Sequence, residues 1–252
     1  MGKNYSRIIF ILQLAFTLFF GAIIVHVFLY MNEKVGLSSS FFILFLPKTL
    51  VLVCALFPHF LIKIRHKSHT QDGEILPLLF LAMTIECFSL IPDYYMETGI
   101  LLLDPVLCNT LIRFSFITCP LMFLITGLIY QGISVSKTGY YTLVAVIAAF
   151  LLSYAAPHSS SPASAINSFG SVWDSYFNIA SILISVLAIL TFVLSIINEK
   201  VQQTIKRSIS FILMIIGNWG IFAPTSLVAT IILASFFIIG VVMMIVTNKD
   251  AF

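Results

Sequence analysis

Three ionisable side chains stand inside long apolar stretches of this chain: Lys48, Glu86 and Arg113. A charge in hydrocarbon costs about 2.5–3.5 kcal/mol on insertion scales, so such residues are retained for pairing or for binding. Their chemistries are complementary. Arg113 offers a planar fork that grips a carboxylate through two hydrogen bonds, and Lys48 offers a second cation. Glu86 is an anion that can organise both. Two cations against one anion leave a local excess of positive charge, which suits a small anionic ligand such as a carboxylate. The plainer reading is that Glu86 pairs with Lys48 or Arg113 and only fixes helix register.

Further polar residues recur at helical spacing. His26 and Tyr30 are four apart. Glu86, Ser89 and Asp93 follow i, i+3, i+7, and Asp174, Asn178, Ser181 and Ser185 follow i, i+4, i+7, i+11. Each set defines one helix face. The expected ligand-binding residues are therefore Lys48, Glu86 and Arg113, helped by His26, Tyr30, Asp174 and Asn178.

The elements that must carry these residues follow from composition. Of 252 residues, 60% are hydrophobic and only 9% are charged, where soluble domains carry about 25% charge. The apolar residues come in blocks near the roughly 20 residues that cross a bilayer as a helix. The alternating segments of about 10 residues that build a membrane barrel are absent. The expected fold is all-α: one polytopic transmembrane bundle, residues 1–252, of about eight spans. These run 8–31, 41–64, 75–91, 106–130, 141–156, 173–197, 208–222 and 226–245. The last two are expected to reverse around Gly217-Asn218-Trp219-Gly220 and Pro224-Thr225-Ser226, with Asn218 and Trp219 capping the seventh. Treated as one bent element, that hairpin would reduce the count to seven. The run from Ile8 to Met31 is too long for a signal-peptide core and reads as a retained first helix.

Loop charges orient the bundle. With the N-terminus inside, the inner segments hold Lys3, Arg7, Lys63, Arg65, Lys67, Lys137, Lys200, Lys206, Arg207 and Lys249, ten of the thirteen Lys and Arg. The outer loops hold only Lys34, and collect Glu33, Asp93, Glu97, Asp104 and Asp174. Lys and Arg concentrate on the cytoplasmic side, so both termini are predicted there, in the plasma (inner) membrane. At about 1.5 Å per residue, Lys48 and Arg113 lie about 10 Å, and Glu86 about 8 Å, below the outer ends of their spans. The three thus share one level in the outer third of the bilayer.

The four cysteines, Cys54, Cys87, Cys108 and Cys119, form no CxxC pair and read as small packing residues. A disulfide between Cys87 and Cys108 has only their shared outer location in its favour. His66 and His69 have the spacing of a metal-ligand pair, but Lys63, Arg65 and Lys67 crowd them, which favours a basic loop at lipid headgroups. No metal and no cofactor is expected. Nucleophile-elbow, zinc-protease and phosphate-loop motifs are absent, so an enzyme is not expected. The net charge of +3 reads as topology and excludes nucleic acid as a partner. The partners expected are the lipid bilayer, a small anionic ligand, and a cytoplasmic or membrane protein. The function expected is that of a sensor or receptor-like module signalling to that partner. A secondary transporter, or a membrane subunit of a transport complex, is the alternative, and a structural subunit of a membrane assembly the third.

Overall fold

The computed structural model describes residues 3–34, 41–65, 71–132, 138–156, 172–198, 201–222 and 226–249; among these, the side chains of 3–6, 57–65, 71–74, 138, 172–174 and 248–249 are not described. Among the described residues every regular element is helical. In chain order they are α1 (Lys3–Lys34), α2 (Leu46–Arg65), α3 (Gln71–Glu86), α4 (Leu90–Thr98), α5 (Pro105–Tyr130), α6 (Thr138–Ala155), α7 (Val172–Asn198), α8 (Gln202–Phe222) and α9 (Leu227–Lys249). Six segments are long and apolar enough to cross a membrane: Arg7–Lys34, Ile75–Thr98, Pro105–Tyr130, Ser175–Asn198, Gln202–Phe222 and Leu227–Thr247. Two shorter apolar helices, Phe41–Leu56 and Gly139–Ala155, accompany them. This is the build of an integral membrane protein.

Prolines shape the central helices. Pro92 has no N–H to donate to the carbonyl of residue 88, and its ring crowds that carbonyl. The chain answers with a 3₁₀ turn, Cys87–Ser89, between α3 and α4. The torsions of the flanking Glu86 (φ −59°, ψ −22°) and Leu90 (φ −69°, ψ −24°) are those of the tighter helix. The helix then resumes and ends at Gly99, whose φ of 71° lies in the left-handed region that glycine adopts without penalty. The third span therefore reaches Thr98 and does not stop at Ile91. Pro47 has a parallel effect, since a π-turn, Phe41–Phe45, leads into α2 just ahead of it. At the start of α5, the Asp104 carboxylate accepts from the N–H groups of Val106 and Leu107 at 3.0 and 3.2 Å, an N-cap followed by proline at the first position.

The continuous α3–α4 span and α5 form the centre. Burial covers 89% of the most apolar stretch of Ile75–Thr98 and 72% of that of Pro105–Tyr130, against 28% for the equivalents in α1 and α7. α3 packs on α1, α2 and α5; α5 packs on α6 and α7; α7 packs on α8; and α9 returns to α2. Packing inside a bilayer relies on close van der Waals fit, because lipid tails solvate apolar side chains as well as neighbours do. Stacked Phe192 and Phe211, with centroids 4.9 Å apart, join α7 to α8, and Tyr130 of α5 meets both edge-on. The small residues Ala149 and Ser153 of α6 are fully buried, and α5 is the neighbour of that helix.

The α8–α9 hairpin departs from the sequence expectation. Gly217 and Gly220 do not make the reversal. They lie within α8, where a side chain on Gly217 would overlap the backbone of Phe237, and one on Gly220 would overlap Leu233. Their small size lets the two helices touch, and α8 continues to Phe222; Pro224 and Thr225, the other part of the expected reversal, lie outside the described residues. Asn218 and Trp219 are accordingly interior positions of α8, not caps.

Candidate functional site

Lys48, Glu86 and Arg113 are all buried, with 2%, 4% and 5% of their surfaces exposed. None of the three faces lipid. Their partners, however, differ from those the sequence suggested. The Lys48 ammonium donates to Asp93 Oδ2 at 2.8 Å and lies 6.0 Å from the ring centre of Phe222 at the end of α8. Asp93, expected in an outer loop, is on α4 because the third span continues past Pro92. Glu86 accepts a 2.6 Å hydrogen bond from Asn218 Nδ2 of α8. It pairs with neither Lys48 nor Arg113. The Cys119 thiol of α5 also reaches the Glu86 carboxyl and lies 3.7 Å from Asn218 Nδ2. Arg113 is on α5 with its guanidinium 5.5 Å from the ring centre of Phe177 on α7.

The depths differ too. Glu86 is twelve residues from Thr98 and eleven from Ile75, the two ends of its span. That places it about 18 Å from the Thr98 end, near the middle of its span and not in the third next to Thr98. Asp93, and with it the Lys48 ammonium, is two helical turns higher. The interior is thus built in two storeys: an ion pair above, and a carboxyl with neutral hydrogen-bond partners below. Asp93, with 24% of its side chain exposed, answers Lys48, so Lys48 no longer adds to an excess of positive charge. The expected excess of positive charge is not what the geometry gives.

The other expected residues are distributed differently. His26 is exposed on the flank of α1; its Nδ1 lies 3.1 Å from the Tyr94 hydroxyl, and its ring stacks against Tyr30 at 6.4 Å. Tyr30 is half-buried and carries Lys34 over its ring at 4.7 Å. These two residues form a group at the bundle surface and join neither Lys48 nor Glu86. Asn178 is half-buried on α7, and Ser181 and Ser185 below it are buried, so that polar stripe does face inward. The side chain of Asp174 lies outside the described residues. So do His66, His69, Lys63, Lys67, Lys137, Lys200 and the loop from residue 157 to 171. Cys87 and Cys108 are both free thiols.

Asn218 is the residue the sequence reading missed as a contact of Glu86, because it was assigned to a helix end. The available signal was its isolation: an amide in the apolar second half of its helix, four residues from the end, needs a partner. Gln13 of α1 gives the same lesson. It is wholly buried and donates to Thr84 Oγ1 of α3 at 2.7 Å, two residues before Glu86. Three polar atoms near the lower storey have no hydrogen-bond partner: Asn218 Oδ1, Ser89 Oγ and Gln13 Oε1. Among the described residues no cluster of three His, Cys, Asp or Glu has the arrangement of a metal site. The chain matches no known protein family, no curated protein and no solved structure.

Proposed function

We propose that this chain is a membrane-embedded sensor or receptor-like module of eight spans, with both termini cytoplasmic. It binds a small polar ligand inside the bundle and passes the change to a cytoplasmic partner. The observation that carries this reading is the Glu86 carboxyl. It is buried near the middle of its span, its partners are an amide and a thiol, and it directly precedes the 3₁₀ turn of the central helix. A carboxylate kept only for architecture is expected to hold a counter-charge, as Asp93 holds Lys48. Among the described residues Glu86 holds none, so its cost of about 2.5–3.5 kcal/mol points to a use other than packing. From Glu86, α3 runs through Pro77 toward the basic loops assigned to the cytoplasmic side, a helical route by which a change at the 3₁₀ turn reaches the inner face.

The ligand first suggested was a small anion. The Lys48–Asp93 pairing removes one of the two cations that argued for it, and the acceptors around Glu86 favour a ligand that brings positive charge or hydrogen-bond donors. Thermal unfolding of the purified chain in detergent, at constant sodium, tests this with acetate, succinate, acetamide and ethylamine. One of these classes is expected to raise the unfolding temperature saturably, and Glu86→Gln is expected to remove the effect. No response to any class would end the binding reading.

A secondary transporter is the second reading, and the tight turn at Cys87–Ser89 favours it, because transporters place substrate at interrupted helices near the midplane. Uptake of the same solutes into proteoliposomes separates the two. Accumulation that Arg113→Ala abolishes would replace the sensor with a carrier.

A further inference from the structure

The lower storey carries an excess of oxygen acceptors. Asn218 spends its amide nitrogen on Glu86, which leaves Oδ1 of the same planar amide a few ångströms from the carboxyl, buried and without a donor. Ser89 Oγ is likewise buried and unpartnered. Ser89 is three residues from Glu86 across the 3₁₀ turn, and in that helix side chains at i and i+3 eclipse. Ser89 therefore stands above Glu86 on the same face. In a regular α-helix it would be rotated away by about 60°. Buried polar atoms without partners call for an occupant, and hard oxygen donors around one negative charge suit a small, hard cation.

We infer that Glu86, Asn218 Oδ1 and Ser89 Oγ form a binding site for a monovalent cation, sodium, at the middle of the membrane. The cation supplies the counter-charge that an ionised carboxylate in hydrocarbon needs, and it gives the orphaned oxygens of Asn218 and Ser89 a partner. Lys48 does not compete for Glu86, because Asp93 already neutralises it. The 3₁₀ turn is then part of the site: it brings Ser89 over Glu86. Transporters likewise place ion sites where a membrane helix departs from regular winding. This inference rests on reading the interior as a binding site, but it concerns the ion alone and needs neither a ligand nor a protein partner.

The test is direct binding of radioactive sodium to the full chain in detergent at pH 8, with thermal unfolding in sodium, potassium and N-methylglucamine chlorides at equal ionic strength. Saturable sodium binding is expected, with an unfolding temperature several degrees higher in sodium than in N-methylglucamine, as follows when an ion binds only the folded state. Glu86→Gln is expected to abolish both. Ser89→Ala breaks no hydrogen bond and preserves the fold, so it supplies the second arm, with sodium affinity expected to fall about tenfold. Absence of saturable binding, an equal temperature in all three salts, or unchanged affinity in Ser89→Ala would each overturn the assignment. The solute screen above is read at constant sodium, so its failure and this one are separate results.

Discussion

The two storeys of the interior solve the same problem differently. Lys48 and Asp93 are opposite charges within 2.8 Å, each answering the other. Glu86, two turns deeper, is answered by an amide and a thiol. The upper pair is closed: it consumes its own chemistry and holds α2 against α4. The lower group is open: it leaves acceptors over. A buried charge by itself does not mark a site, and the identity of its partner distinguishes a clasp from a receptacle.

The largest effect that can test this contrast is Asp93→Ala. It strands the Lys48 ammonium in an apolar interior, and the expected loss is about 3–5 kcal/mol in detergent unfolding. Replacing both partners together, Lys48→Met with Asp93→Leu, is expected to restore most of that stability; a double variant as unstable as the single one would show that the pair does more than cancel itself. Next in size is Gly217→Ala, which forces a methyl into the Phe237 backbone and displaces the neighbouring Asn218. Overpacking of this kind costs about 1–3 kcal/mol, and the same variant is expected to lower affinity at Glu86 if Asn218 positions the carboxyl. Smallest is Glu86→Gln. It keeps a hydrogen bond to Asn218 and removes a charge, so its stability without added ligand is expected to stay within about 1 kcal/mol of the parent. A loss as large as that of Asp93→Ala would make Glu86 structural and erase the contrast.

The helices were legible because bilayer thickness imposes a length on each apolar block; among the described residues six are long and apolar enough to cross, and Phe41–Leu56 and Gly139–Ala155 are shorter. The burial of Lys48, Glu86 and Arg113 was legible for the same reason. Their pairing was not. The third span was expected to end at residue 91, just ahead of Pro92, which removes a donor. Whether the helix stops or absorbs that loss in a 3₁₀ turn depends on the packing around Phe88, where Phe16 and Phe20 of α1 hold its ring edge-on. Once the span was cut at residue 91, Asp93 fell into a loop and Lys48 lost its partner. Asn218 was hidden by its glycines, which signal a turn locally but serve helix contact with Phe237 and Leu233. Both errors arise where a residue type has two uses and only the tertiary neighbour selects one.

The tight turn also sets an angle. In a regular α-helix residues 86 and 93 would project within about 20° of each other, since seven steps of about 100° nearly complete two circles. Three steps of about 120° advance the later residue by about 60° more. That offset lets one rod present its two carboxylates to different neighbours, α8 below and α2 above. Rewinding those three residues would swing Asp93 away from Lys48 while leaving Glu86 in place, so the turn works as a gear between the two storeys: twist at one is torque on the other.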